Sequence, residues 1–593
     1  MGTISDKLMR IINTKEDIRQ ALILKGYDVP TSIPFKEYAK MISDLPCKVD
    51  DFPKLPGDVT RWYFGGLTNE MMAAMDDPRI EDADHKGRFL SFKNFAWGGM
   101  SGVGGYVDNW NSSADWSINN YWVNSHTDHK LQLITASTVV QMKSNNIYNA
   151  ENVYKNILNV NGLTEAVNKG SVEGLRISAT DPITSKAIKT FSFDTDGVIQ
   201  ISFDDVLQDY CVVYFVYGNN TNDIDITIEQ LPLYPGALVF DGVDDYGVCD
   251  NFPILTKEKG YTVVALRQWI TRGKGALGLV SNVKNWLKDG AFLLEYRNIQ
   301  ADHLNKPISF GAIGSEMDLP HILTYQTSKS YNGVSITTGN FEGTDVLHVG
   351  KLAPTNVGTC INAAIWELVF LDHDATEEEL TKIKDYFVKT YPWLFPNQAW
   401  TVVGKTNEDK DRATIANITG NGNDLVLSNF GFAEGSGYNE EGEYAGYLVT
   451  DGVDDKIVSS VFGMGKDFTI VGDWKFIDNK KSGTGLVKGP SFYIYNTMIG
   501  LDLYINSGSV KNSLDGIKSI NAACSDGRAY DRNWNEILAN TGNVVGSGGT
   551  LEVSSSGGRF DRIAFKNLAI YPRILSKDDC IKAYNYLQTL KSK

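Results

Sequence analysis

The hydrophobic pattern of the chain changes character after its first fifty residues. Within residues 1–45, Leu8, Ile11 and Ile12 recur at helical spacing. Ile18, Leu22 and Leu24 continue the stripe after a Thr14/Asp17 capping pair, and Gly26 stops it. Pro34 opens a third short helix from Phe35. Helices this short bury little by themselves, so the segment needs a partner surface or further copies of itself. Residues 46–59 read as a linker, with Pro46, Pro53 and Pro56 as breakers. Beyond it the period is two. Tyr261-Thr-Val-Val-Ala and Phe468-Thr-Ile-Val-Gly are alternating strand patterns, and turn residues punctuate the chain from there to its end.

The strand pattern is duplicated. Gly236-Ala-Leu-Val-Phe-Asp-Gly-Val-Asp-Asp-Tyr returns as Gly446-Tyr-Leu-Val-Thr-Asp-Gly-Val-Asp-Asp-Lys. Upstream, Trp62 to Glu70 matches Trp400 to Glu408, the strand from Leu90 matches that from Leu425, and the turn Gly102-Val-Gly-Gly matches Gly435-Ser-Gly. Downstream, each copy closes with a strand and a capped helix, at Trp366 then Thr376, and at Leu568 then Ser576. The first copy is interrupted between its glycine turn and its pentapeptide. This predicts a first module over 60–106 plus 236–398, a domain over 107–235 inserted at a loop tip, and a second module over 399–593. The insert reads as a helix near Ala150–Leu158 followed by strands at Gly174, Thr190, Val198, Cys211 and Ile224, a small β-sandwich or barrel. The expected fold is therefore mainly β: two sandwiches, one carrying an inserted β-domain, behind a short helical segment.

Composition narrows the partners. A net charge of −16 argues against nucleic acid as a main ligand. No apolar run is long enough to span a bilayer as a helix, and Met1-Gly-Thr-Ile-Ser-Asp-Lys does not open a signal peptide, so synthesis in a cytoplasm is expected. The six cysteines form no Cys-x-x-Cys pair and read as reduced, small apolar residues.

Candidate chemistry is sparse. Trp110, Trp116, Tyr121 and Trp122 lie among Asn, Ser and Asp and could stack on the apolar faces of sugar rings; core packing of the insert is the weightier alternative. Asp241, Asp244 and Asp245, and their repeats Asp451, Asp454 and Asp455, could ligate calcium, which wants clustered carboxylate oxygens. The competing reading is a tight Asp-Gly turn whose aspartates hydrogen-bond its backbone, and no other cofactor is implied. His126-Thr-Asp-His129 would need a further ligand to hold a metal and reads as a solvated polar loop. A Glu-x-Asp-x-x-Glu strand, which would set two carboxylates on one face for glycoside cleavage, is missing; Glu316-Met-Asp-Leu-Pro-His321 begins one and ends in His. Hydrolysis is not expected.

The residues Leu238-Val-Phe-Asp-Gly-Val-Asp-Asp-Tyr and Leu568-Ala-Ile-Tyr-Pro-Arg-Ile-Leu-Ser resemble the concanavalin A-like lectin/glucanase jelly roll of laminin-G-like type. The N-terminal segment, and Gly404-Lys-Thr-Asn-Glu-Asp through Asn421-Gly-Asn-Asp-Leu, resemble fibre proteins of tailed phages infecting gut Bacteroidales, the crAss-like phages in particular. That resemblance implies a virion-surface fibre. Residues 1–45 would anchor it to capsid or tail proteins, three copies would associate, and the lectin-like modules would adhere to glycans. With no heptad shaft or β-helical repeat, a head fibre fits slightly better than a tail fibre. The alternatives are a glycan-active hydrolase of the same fold and a cellular adhesin.

Overall fold

A computed structural model describes residues 51–118, 125–133, 139–149, 154–203, 206–218, 224–256, 258–271, 278–282, 293–296, 308–309, 323–335, 337–338, 344–351, 360–440, 444–477, 484–489, 491–496, 500–505, 512–515, 520–538, 547–553, 555–556 and 559–592. The helical segment with Leu8, Ile11, Ile12, Ile18, Leu22 and Leu24 lies outside these, as do Tyr121, Trp122 and the run Glu316–His321. The described chain is mainly β, built from antiparallel sheets.

Residues 51–55 group with residues 379–386, where the Phe52 ring meets Tyr386 edge-on at 5.1 Å. The rest divides by strand pairing into three layered bodies. The first sandwich has an eight-stranded sheet centred on Asn362–Leu371 and a six-stranded sheet that includes Phe89–Lys93, Tyr246–Cys249 and Leu347–Val349. Asn362–Leu371 pairs on one side with Thr262–Trp269 and on the other with Val59–Tyr63 and Leu238–Asp241. Nine of its ten residues are buried, as expected of a central strand covered on both faces. Trp62, Phe92, Phe240, Val263, Val349 and Phe370 join both sheets in one core.

The second sandwich repeats the plan around Ile563–Tyr571, with Trp400 opposite Leu568 just as Trp62 stands opposite Leu368. Both copies carry a β-bulge at the same place, between Leu266 and Arg267 and between Asp473 and Trp474. Thr262 and Thr469 each use the hydroxyl to bridge the loop before the closing helix, Glu377–Thr390 and Lys577–Gln588 respectively. Ser576 caps the second helix by accepting from the Asp579 N–H at 3.1 Å. The copies differ beneath the central strand. In the first, Arg61 donates to Glu367 at 2.8 Å with both side chains buried, and Tyr391 donates to the other carboxylate oxygen. In the second, Ala399 and Asn567 stand at these positions, and Asn567 accepts from the Asp473 N–H.

Among the described residues, the strands from Trp116–Ile118 to Ile226–Gln230 pair only with one another, in two five-stranded sheets. Their core holds a buried polar centre: Tyr154 donates to Asp108 at 2.7 Å, and Asn156 donates to Asp108 and Gln230. Burial pushes the Asp108 carboxyl up to about 7, against the pull of these donors. The helix expected near Ala150–Leu158 is corrected over residues 154–158, while residues 150–153 lie outside the described residues. Residues 155–161 form a strand, because Asn156, Leu158 and Val160 alternate into this core and the strand pairs on both sides. Among the described residues of the insert the one short helix is Leu163–Asn168.

Candidate functional site

The pentapeptide turns come first, because the duplication singles them out. The Asp241 carboxylate accepts from the N–H groups of Val243 (2.7 Å) and Asp244 (3.4 Å), while Asp245 accepts from the Asp241 N–H and from the Ser101 hydroxyl, both at 3.0 Å. The second copy repeats each bond with Asp451, Asp455 and Ser436. Ser101 and Ser436 in turn accept from Ala96 and Gly431, and Asn94 and Asn429 donate to the carbonyls of Asp244 and Asp454. The network holds Trp97 and Phe432 at positive φ (51° and 49°), which bulky residues rarely adopt. A Cβ at Gly102 or Gly437 would lie 2.5 Å from the amide oxygen of Asn69 or Asn407, so glycine is required there in both copies.

Each aspartate triad brings its oxygens within 4.8 Å. Calcium needs six to eight oxygen ligands, yet in each triad both oxygens of the buried aspartate and one of the first aspartate already accept protein donors. The turns therefore read as fold-holding devices, and the donor set does not complete a calcium cage among the described residues. Burial, helped by the neighbouring carboxylates, pushes Asp245 up to about 7 and Asp455 up to about 6. A carboxyl with a raised folded value holds its proton more tightly in the folded state. Its contribution is then fully present below about pH 4 and lost as pH rises through 6 to 7. The Asp245→Asn/Asp455→Asn variant should therefore gain stability relative to the natural chain between pH 4.5 and 8, read from urea midpoints at about those values; a relative loss would refute the assignment.

The histidine loop is corrected. Asp128 is buried, accepting from Asn69 at 2.9 Å and pairing with the His129 ring at 2.8 Å. Tyr106 stacks on His129 at 4.4 Å between centroids. Burial alone would disfavour the imidazolium, but the hydrogen bond and charge of Asp128, with Glu70 and Glu229, outweigh it and raise His129. Glu70 approaches Asp128 and His129, a partner that sequence spacing did not indicate. With both Asp128 oxygens engaged, the cluster ties the first sandwich to the insert.

Two of the four residues expected to form an aromatic sugar site are corrected as well; Tyr121 and Trp122 lie outside the described residues. Trp110 and Trp116 are buried in the core of the insert, each edge-on to Tyr214 at 6.0 and 5.9 Å. Neither ring can present a face to a saccharide.

What the sequence did not suggest is a cavity of about 420 Å³ between the insert and the second sandwich. Lys155 and Lys189 reach it from strands of the insert, and Lys475, Arg532 and Lys566 from the sandwich. No aspartate or glutamate lines it among the described residues. Lys475 and Lys566 stand over the ring of Tyr447 at 4.5 and 5.6 Å, and the Tyr447 hydroxyl donates to the buried Asp473 behind it. Lys566 also donates to Gln588 at 2.8 Å, while the Gln588 Nε2 is buried with no protein acceptor. The walls are fixed across the gap. Tyr584 donates to Gln200 at 2.8 Å, and Asn585 donates to the Pro232 carbonyl at 3.3 Å.

No family model matches the chain, and no curated protein matches it. Among solved structures it is similar to a Trypanosoma rangeli sialidase in complex with sialic acid, with 10% identity, coverage of 91% of this chain and 100% of that one, and a TM-score of 0.24. The botulinum neurotoxin serotype D binding domain matches at 10% identity, with 58% and 89% covered and a TM-score of 0.19. Scores this low carry no argument about ligand or activity.

Proposed function

We propose that the chain is a non-catalytic adhesion protein of a tailed-phage virion. Residues 1–45 anchor it to capsid or tail proteins in three copies, a head fibre being slightly favoured, and its β-modules face outward onto glycans. The observation that carries this reading is the duplication. The same turn network, bulge and closing strand are built twice on one chain, which suits repeated weak contacts better than a single reaction centre. Per-site affinity is expected near about millimolar (roughly −4 kcal/mol), with useful retention coming from copy number. The test has two parts: labelling of intact particles with an antibody to this chain, and retention of the purified chain on host capsular polysaccharide. The expected result is a label on every particle and retention that weakens when the chain is monomeric. Unlabelled particles would overturn the virion assignment, and a freely eluting protein would overturn the adhesion assignment.

A further inference from the structure

We infer that Cys524 and Cys580 form an oxidisable dithiol, a modification site at which a low-molecular-weight disulfide such as oxidised glutathione closes a cross-link. The bond joins the strand Ile520–Cys524 to the closing helix Lys577–Gln588 of the second sandwich and locks that helix, whatever the modules bind.

Both residues are fully buried, and both are free thiols in this structure. Their side chains hydrogen-bond to each other, although they lie far apart in sequence. The fold holds each of them in place. Cys524 stands opposite Thr469 in the sheet, with its Sγ 3.6 Å from the Thr469 hydroxyl and 3.9 Å from the Leu575 carbonyl. The same hydroxyl accepts from the Leu575 N–H at 2.9 Å, which fixes the chain entering the helix. The Cys580 N–H then closes the first helical turn on the Ser576 carbonyl at 2.9 Å. The duplication supplies an internal comparison. Thr327 stands opposite Thr262 where Cys524 stands opposite Thr469. Counted from the capping positions Thr376 and Ser576, Leu380 takes the place of Cys580. The common fold therefore requires neither cysteine, yet the second copy carries both, in contact. One buried thiol serves as a small apolar residue; two in contact also permit a two-electron oxidation.

The S–H of Cys580 favours the Cys524 thiolate, outweighs burial and holds Cys524 below the usual thiol range, while the same bond, with burial, raises Cys580. Cys524 is thus the attacking sulfur. It gives its proton to water and attacks one sulfur of oxidised glutathione; that S–S bond breaks, a glutathione thiolate leaves and a mixed disulfide forms on Cys524. Cys580 gives its proton to the departing thiolate and attacks the Cys524 sulfur. The second glutathione thiolate leaves and takes a proton from water. Two cysteines have lost two electrons, and one small disulfide has gained them. Burial makes the reaction slow, because the oxidant reaches Cys524 only when the first turn of the helix opens. The helix is a junction: Tyr584 donates to Gln200 of the insert, and Gln268 of the first sandwich donates to Thr589 at its end. Pinning its first turn to the sheet stiffens the element on which the three bodies meet. The loop closed runs from position 524 to 580, so the link also removes freedom from the unfolded chain.

The test keeps the full chain folded in oxidised glutathione, blocks the remaining thiols and maps peptides by mass spectrometry without reduction. A peptide pair joined through Cys524 and Cys580 should appear, with two of the six thiols lost when the protein is titrated in denaturant. The urea midpoint of the second sandwich should rise on oxidation and return with dithiothreitol. Cys524→Thr/Cys580→Leu, which takes the residues of the first copy, should show no such rise; if that variant does not fold, the peptide map of the natural chain decides alone. Six thiols that survive prolonged exposure, a mixed disulfide that stays on Cys524, or links that join other cysteines instead overturn the inference. A rise that persists in the variant overturns it too, as does a Cys524–Cys580 link that lowers the midpoint, because a strained bridge is no lock. None of these outcomes bears on glycan retention, so the adhesion reading stands or falls separately.

Discussion

Replacing Trp116 by alanine should destabilise the inserted domain by about 3–5 kcal/mol, and Trp110→Ala should do the same. Both indoles are almost fully buried and pack edge-on against Tyr214, whose own hydroxyl belongs to the Tyr154–Asp108 centre. Truncation leaves a cavity beside a buried carboxyl, and the surrounding sheets can close it only in part. Urea unfolding followed by tryptophan fluorescence would show the insert melting at lower denaturant, with the sandwiches following at their former midpoint. Saccharide binding by the folded fraction should be unchanged. A variant that folds normally but loses retention would restore the aromatic sugar site and refute the core assignment.

Glu367→Ala should cost the first sandwich about 3–5 kcal/mol, the typical penalty for removing one partner of a buried ion pair. The Arg61 guanidinium would stay beneath the central strand without the carboxylate that faces it at 2.8 Å, and the Tyr391 hydroxyl would lose its acceptor. The second sandwich shows another solution at the same place, with Ala399 and Asn567. Arg61→Ala/Glu367→Asn copies that solution and should recover a large part of the loss, since neither charge of the pair is then left buried without the other. Denaturant midpoints of the natural chain, the single variant and the double variant form the comparison. A double variant less stable than the single one would show that the pair is not the source of the effect.

These two sites illustrate what the sequence could convey. The duplication was legible because its signals are local: an alternating strand, an Asp-Gly turn, a capped helix. The role of Asp245 and Asp455 was half legible, since the turn bonds within the pentapeptide follow from its spacing. Their reach to Ser101 and Ser436 does not, because in the first copy that contact spans the whole insert. The weightier reading of Trp110 and Trp116 as core held, and the sugar-stacking alternative arose because Asn111, Ser112 and Ser113 surround them in sequence. Those polar residues occupy a turn at the sheet edge, where Asn111 N donates to the Asn109 carboxamide, and burial is decided one residue at a time. Asp128 looked solvated for the same reason. The cleft was not legible at all. Its cations come from positions 155, 189, 475, 532 and 566, each of which reads alone as an ordinary outward-facing charge, and only the packing of the insert on the second sandwich brings them to one wall.

The central claim is that this chain holds glycans without cutting them. The most direct measurement is the chain-length distribution of host capsular polysaccharide, by size-exclusion chromatography with light scattering, after prolonged incubation with the protein at a concentration where it is retained. The account predicts a polymer that co-elutes with the protein and keeps its original length, with no new reducing ends. A progressive shortening of the polymer, dependent on the amount of protein, would contradict it and make the chain a glycan-cleaving enzyme.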